Sequence, residues 1–126
     1  MSQSFRTPLG KVRWLGSARL GAGDNWRIRL TSLALIPLSL AFVVMVIMLL
    51  HRDYNGARAF VGQPLPAVIL LLFVVAGVYH AELGMRSVIV DYVHGQLREW
   101  ALIVNACAAI ALALACIYAV LRISFV

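Results

Sequence analysis

The hydrophobic pattern of the chain consists of three long apolar stretches separated by short polar segments. We place these stretches at about 28–50, 66–93 and 99–122. Each exceeds the roughly 20 residues that a helix needs to cross a hydrocarbon core of about 30 Å. Continuous apolar runs of this length indicate helices, which satisfy their own backbone hydrogen bonds in lipid. The pattern therefore predicts an all-α integral membrane protein whose three transmembrane helices run up, down and up.

The polar segments between the spans predict two connections of different kinds. The segment 51–63 is rich in polar and charged residues, and we interpret it as a loop. The segment 94–96 is too short for more than a tight turn. Gly95 lies within it and is placed to cap the carboxyl end of the second span.

The segment before the first span differs from the rest of the chain. Residues 1–25 are polar, glycine-rich and basic, and we interpret them as a cytoplasmic N-terminal tail before a three-helix membrane domain over 26–126. Six Lys or Arg residues lie in the tail and the entry to the first span, against two in the next connection. Basic residues stay on the cytoplasmic side, which predicts a cytoplasmic N terminus and a periplasmic C terminus. We expect the bacterial inner membrane, with the mitochondrial inner membrane as second choice.

The composition excludes several classes of protein. Hydrophobic residues make up 63% of the 126 residues and charged residues only 13%, with a mean hydropathy of +0.91. Soluble proteins average about 25% charged residues, and three spans leave no room for a soluble domain. The net charge of +6 does not indicate nucleic-acid binding, because the basic residues cluster beside a span, where they contact anionic membrane lipid.

The second span carries most of the polar chemistry. At about 100° per residue, one narrow helix stripe contains Gly77, His80, Gly84, Ser87 and Asp91. Ionisable groups at membrane depth are costly unless they face a bundle interior, a cofactor or water. The two glycines beside the histidine leave room for a flat group against the helix backbone. The stripe predicts a buried histidine ligand near mid-membrane and a polar site at the end of the helix.

Each of these residues also has a plainer interpretation. His80 would hydrogen-bond a neighbouring helix without binding any metal. Tyr92 would be one of the aromatic residues that gather at the headgroup level, and Asp91 a charge at the helix end. Glu82 and Arg86 lie four residues apart on the opposite face, where they are expected to form an intrahelical ion pair. Their face would meet either a partner chain or a local aqueous pocket.

The second span and the turn after it resemble a known family. The residues His80-Ala81-x-x-Gly84-Met85-x-x-Val88-x-x-Asp91-Tyr92-Val93 are similar to the signature of the hydrophobic membrane-anchor subunit of succinate dehydrogenase, respiratory complex II. The resemblance implies that His80 is an axial ligand of haem b and that Tyr92 hydrogen-bonds ubiquinone. Asp91, adjacent to Tyr92, would then belong to the same quinone site and orient Tyr92 or a partner's Arg, or relay protons from the cytoplasm.

A shorter pattern at the start of the first span points to the same family. Arg29-x-Thr31-Ser32 resembles the entry of the family's first helix, where an Arg approaches a haem propionate. In the alternative interpretation, Arg29 is a topology charge whose side chain extends to the lipid phosphates.

The resemblance implies partners as well as cofactors. The second haem ligand would come from the sister anchor, the cytochrome b subunit, so the three helices would form part of a larger heteromeric bundle around haem b. The quinone pocket would be shared with that sister anchor and the iron–sulfur subunit. No flavin fingerprint, Cys cluster or Gly-rich phosphate loop is present in the sequence, so the succinate-oxidising site would lie on the flavoprotein subunit. The chain would then help to pass electrons from succinate to ubiquinone, between the tricarboxylic acid cycle and the respiratory chain.

Two other functions fit a small three-span protein. One is a transporter or channel subunit, in which Glu82, Arg86 and Asp91 would line a conduction path. These residues are spread over two helix faces, which counts against a single path. The other is a structural assembly anchor without a cofactor.

Overall fold

A computed structural model describes the backbone of residues 17–125 and the side chains of residues 23–125. This part of the chain contains four α-helices and no strand: α1 (Ser17–Leu50), α2 (Tyr54–Val61), α3 (Pro64–Tyr92) and α4 (Gln96–Phe125). Three of them are long and apolar enough to cross a membrane, over Gly23–Leu50 in α1 and over the whole of α3 and α4. The predicted all-α architecture with three spans is confirmed.

The first helix begins earlier than the apolar pattern indicated. Helix α1 starts at Ser17, inside the segment 1–25 that we interpreted as a tail, although its membrane-length apolar part begins only at Gly23. Hydropathy marks the part of a helix that lies in hydrocarbon, whereas helical hydrogen bonding continues beyond that boundary. Residues 1–16 of the predicted tail lie outside the described part of the chain.

The connection between the first two spans is not the loop that its polarity predicted. Residues 54–61 form the short helix α2, which Asp53 caps by accepting a hydrogen bond from the Gly56 backbone N–H at 3.1 Å. The Arg52 guanidinium lies over the Phe60 ring, 4.7 Å from its centroid. A polar segment at a membrane surface forms a helix when it has a cap and an apolar face to pack, and α2 has both.

The turn between α3 and α4 also differs from the prediction. Helix α3 ends at Tyr92, and its capping residue is Val93, whose backbone N–H donates to the Ile89 carbonyl. The predicted cap, Gly95, instead directly precedes α4: its φ is 69° and its carbonyl accepts from the Arg98 N–H at 3.2 Å. Glycine suits this position because residues with a side chain rarely adopt a positive φ.

Helix α3 is the central element, and both other spans pack on it. Three contacts define the antiparallel register of α1 against α3. They join Thr31 to His80, Leu35 to Gly77, and Phe42 to Phe73, whose stacked rings have centroids 4.6 Å apart. The register places the start of α1 beside the carboxyl-terminal half of α3, and this pairing positions the candidate site.

Very little apolar surface is buried within the chain itself. The hydrophobic side chains buried in the described part are Met45, Ala67, Leu83 and Val120. Most of the large apolar side chains on all three spans are exposed. In a membrane, acyl chains or neighbouring helices cover such surfaces, since lipid is as apolar as leucine. The three helices therefore offer wide faces to lipid or to other chains.

Candidate functional site

His80 faces the first span rather than the surrounding lipid. Its Nδ1 lies 2.9 Å from the Oγ1 of Thr31, and both residues are half-buried. His80 thus contacts a neighbouring helix through one of its two ring nitrogens. The other nitrogen, Nε2, has no hydrogen-bond partner within residues 23–125. A ring held at one nitrogen and open at the other has the arrangement of a metal ligand.

An open groove beside His80 follows one face of α1. Its volume is about 480 Å³. The residues that line it together with His80 are Ser32, Leu35, Ile36, Ser39, Leu40 and Val43. Apart from the imidazole, the lining consists of aliphatic side chains and two hydroxyls, which suits a flat apolar group. Because the groove is open, this chain can cover only one side of such a group.

The described residues contain no cluster that could hold a bare metal ion. Within that part of the chain, no three His, Cys, Asp or Glu side chains come together. Within the described chain His80 could therefore be only one ligand among others, as an axial histidine is to the iron of a porphyrin. The donor set and the groove both fit a haem.

Arg29 lies on the same face of α1 as the groove. It precedes Ser32 by three residues and Ile36 by seven, the spacing of neighbours along one helix face. Its side chain is exposed, and it forms no ion pair with an acidic group within residues 23–125. Arg27, by contrast, lies 3.9 Å from Asp24. Of these two arginines, Arg29 is the one placed to meet an anionic group at the end of the groove nearer the start of α1.

The two glycines that flank His80 have different surroundings. A Cβ added to Gly77 would lie 3.9 Å from the Cδ2 of Leu35, an ordinary packing distance, so that side of His80 is already occupied by α1. A Cβ added to Gly84 would meet nothing within 4 Å. The room that the sequence predicted on both sides of His80 is therefore found at Gly84.

Asp91 and Tyr92 lie at the carboxyl end of α3, away from His80. Both are exposed, Tyr92 by 80%, and neither forms a side-chain hydrogen bond or ion pair inside the described chain. Twelve residues separate Tyr92 from His80, which is about 18 Å along a helix. The intervening Ser87 bonds the Leu83 carbonyl at 3.1 Å. The structure thus places the mid-helix histidine and the helix-end pair at different depths.

The predicted ion pair on the opposite face of α3 is present. Arg86 donates from Nε and Nη2 to the Oε1 of Glu82, at 3.1 and 2.9 Å. The pair lies in a groove of about 310 Å³ between α3 and α4, beside Tyr79 and several alanines. Because the two charges neutralise each other there, they do not combine with Asp91 into the single polar face that a conduction path requires.

Two contacts in and around the site were not predicted from the sequence. One is the role of Thr31 as the partner of His80, and the other is Asn105, whose Nδ2 donates to the Glu82 carbonyl at 3.2 Å. Both are polar residues inside apolar spans, where unsatisfied polar groups are costly. Their polarity could have indicated these contacts, because a polar residue inside a membrane span needs a hydrogen-bond partner at the same depth in the membrane.

Comparison with known proteins agrees with the pattern on the second span. The family model described as the succinate dehydrogenase/fumarate reductase transmembrane subunit matches residues 3–120. The chain is also 32% identical over 118 residues to the succinate dehydrogenase hydrophobic membrane anchor subunit of Paracoccus denitrificans, covering 94% of this chain and 92% of that protein.

Two Rickettsia proteins with the same name are similar as well. The chain is 32% identical over 107 residues to that of Rickettsia conorii, covering 82% of this chain and 84% of that protein. The protein of Rickettsia bellii is 32% identical over 94 residues, 74% of each chain. No solved structure matches the chain at a significant level. Since the family model covers most of its length, the chain belongs to the transmembrane subunits of succinate dehydrogenase and fumarate reductase, and within that family it is similar to the hydrophobic membrane anchors.

Proposed function

We propose that the chain is the hydrophobic membrane anchor of a succinate:ubiquinone oxidoreductase, that it holds haem b through His80, and that it contributes Tyr92 and Asp91 to a ubiquinone site. The observation that carries the haem assignment is the geometry of His80. Its Nδ1 lies 2.9 Å from the Oγ1 of Thr31, its Nε2 has no hydrogen-bond partner within residues 23–125, and the residue lines an apolar groove. When bound, the haem would supply one-electron redox chemistry near mid-membrane.

The chain supplies one face of the haem pocket and one axial ligand. Three histidines occur in the sequence, and the other two, His51 and His94, lie at the ends of spans. A haem held by His80 would also need a ligand from another chain, and we assign that ligand to the sister anchor, the cytochrome b subunit. The open groove supports this division, because it leaves the opposite side of the haem to a partner. Arg29, on the groove face, is placed to bind a haem propionate.

The quinone site lies at the carboxyl end of α3. The phenol of Tyr92 donates a hydrogen bond to a quinone carbonyl and helps to deliver a proton as the quinone becomes quinol. Asp91 orients that phenol or a partner's Arg, or relays protons from the cytoplasm. Both side chains are exposed, and neither forms a hydrogen bond or an ion pair inside the described chain. This is expected of groups that complete a site with residues of other subunits.

The orientation in the membrane follows from the basic residues. Six of the eleven Lys and Arg residues precede the uncharged part of the first span, which supports a cytoplasmic N terminus and a periplasmic C terminus in a bacterial inner membrane. The ends of α3 and α1 that carry Tyr92 and Arg29 then lie on the cytoplasmic side. There the iron–sulfur subunit would dock, with the flavoprotein subunit, which oxidises succinate, beyond it.

The haem assignment is tested by optical spectroscopy of the complex purified with its partner subunits. His80→Ala should abolish or alter the b-type signal in the reduced-minus-oxidised spectrum. His51→Ala is the matched control, because His51 lies at the end of α1, where its Nδ1 is 3.3 Å from the Ile47 carbonyl. The control should keep the parent spectrum. An unchanged spectrum in an assembled His80→Ala complex would remove His80 from the haem.

A further inference from the structure

We infer that Thr31 is a positioning residue for His80, because its hydroxyl accepts the Nδ1–H of the imidazole and thereby keeps Nε2 unprotonated and turned to the groove. This inference rests on the proposed haem function, which it deepens. Thr31 and His80 are 49 residues apart in sequence and lie on different spans. The contact therefore depends on the packing of α1 against α3.

The number of protons available decides the direction of the hydrogen bond between Thr31 and His80. The Thr31 Oγ1 has three polar neighbours, the carbonyl oxygens of Arg27 at 2.9 Å and Ile28 at 3.0 Å and the His80 Nδ1 at 2.9 Å. A hydroxyl has one proton to donate, and a carbonyl oxygen can only accept. If that proton went to Nδ1, the hydroxyl oxygen would face two carbonyl oxygens at hydrogen-bond distance with no proton between them. The geometry is satisfied when the hydroxyl donates to the carbonyls and accepts from Nδ1–H.

The opposite tautomer would also leave a donor without a partner. With Nδ1 unprotonated, the neutral ring would carry its proton on Nε2, which has no acceptor within residues 23–125. A donor without a partner in an apolar environment loses its hydration and gains nothing in return, so this tautomer is disfavoured. With Nδ1 protonated, Nε2 carries a free lone pair, which is what a metal ligand requires.

The side chain of Thr31 is a rigid acceptor. Threonine is branched at Cβ, and in a helix its hydroxyl bonds the carbonyls three and four residues earlier, as Thr31 does with Ile28 and Arg27. The neighbouring Ser32 bonds only the Ile28 carbonyl, at 2.7 Å, and makes no hydrogen bond to His80 within the described chain. The position of the imidazole thus depends on one hydroxyl, held at two points to the backbone of α1.

This arrangement has a consequence for the iron. The bonds from N–H to O–H to C=O form a chain in which each bond polarises the next. A hydrogen bond from the remote nitrogen makes a ligating imidazole more basic. A more basic ligand stabilises the ferric state relative to the ferrous state. Thr31 should therefore lower the midpoint potential of the haem and strengthen its retention.

The test compares two variants in the complete complex. Thr31→Val keeps the shape of the side chain and removes the hydroxyl, whereas Thr31→Ser keeps the hydroxyl. The readouts are haem content per flavin and the haem midpoint potential from a redox titration. In the valine variant we expect haem affinity to fall about 10-fold, the lower end of the range for losing an outer-shell partner. If the stabilisation of ferric over ferrous haem falls tenfold as an equilibrium constant, the midpoint potential rises by about 59 mV. The serine variant should match the parent in both.

A valine complex with parent potential and haem content would overturn the inference, as would a serine variant that behaves like valine. If the valine complex does not assemble, pulsed electron paramagnetic resonance of the ferric parent decides. The spectrum should contain the signal of a hydrogen-bonded proton on the remote nitrogen of an axial histidine, and this signal should disappear in His80→Ala. A remote nitrogen of His80 that carries no proton would refute the inference. A b-type spectrum unchanged in His80→Ala would instead refute the haem proposal itself.

Discussion

Arg86 donates two hydrogen bonds to the same carboxylate oxygen of Glu82, one turn earlier on α3, at 3.1 and 2.9 Å. The Glu82 side chain is only 10% exposed, whereas that of Arg86 is 42% exposed. Losing the ion pair should therefore cost more free energy at Glu82, whose charge is nearly buried, than at Arg86. Asn105 of α4 bonds the carbonyl of the same residue, so Glu82 links the pair to the contact between the second and third spans.

Removing either partner of this pair should have unequal effects. Arg86→Gln leaves the nearly buried carboxylate without its counter-charge and should destabilise the assembled complex by about 1–3 kcal/mol. Glu82→Gln leaves a partly exposed cation that can reach water or phosphate, so its effect should be smaller. The measurement is thermal unfolding of the purified complex, with the double variant as control. The double variant should recover part of the loss, and equal effects of the two single variants would contradict this account.

Arg29 and Arg27 offer a matched comparison at the groove beside His80, where we propose that haem binds. Arg29 lies on the groove face of α1, while Arg27 lies on another face beside Asp24. A cation near a haem favours the reduced state, so Arg29→Gln should lower the midpoint potential. A tenfold change in the ratio of reduced to oxidised haem corresponds to about 59 mV. Arg27→Gln should leave the potential unchanged. The same shift in both variants, measured by redox titration, would show a general effect of surface charge and would place Arg29 away from the propionate.

The helix-end tyrosine should affect quinone reduction and not succinate oxidation. Tyr92→Phe removes the phenol hydroxyl that we assign to the quinone carbonyl, and the loss of a positioned proton donor should slow quinone reduction by about 10²-fold. Succinate oxidation measured with an artificial dye should be unchanged, because we propose that this chemistry lies on other subunits.

Tyr54→Phe is the control for this prediction, since Tyr54 is also an exposed tyrosine, 78% exposed, but lies at the other end of the spans. The control should retain quinone reduction. If Tyr92→Phe reduced quinone at the parent rate, Tyr92 would be an interfacial anchor with no part in the quinone site.

The sequence predicted those features that depend on neighbouring residues. The three spans follow from runs of apolar residues, and the pair of Glu82 and Arg86 from a spacing of four on one helix. Predictions at the edges of the spans were less accurate. Helix α2 was interpreted as a loop because its polarity resembles that of loops, and Gly95 was assigned to the wrong helix because a positive φ suits either side of a tight turn.

The placement of the candidate residues was predictable only in part. The stripe that contains His80 and Asp91 follows from helix geometry, and both residues lie on α3 as expected. The position of Arg29 on the groove face became apparent only when the groove was seen, because nothing in the sequence says which face of α1 meets α3. The partner of His80 was missed for the same reason.

Hydropathy and helical periodicity were sufficient to establish a three-span membrane protein, a histidine near the middle of the second span and an acid and a phenol at its end. These are properties of single helices, and a helix has the same geometry wherever it packs. The bond from His80 to Thr31 was decided by tertiary packing, because it requires a particular rotation and register of α1 on α3. Side chains such as Phe42 and Phe73, or Leu35 against Gly77, set that register by fitting together across the two helices.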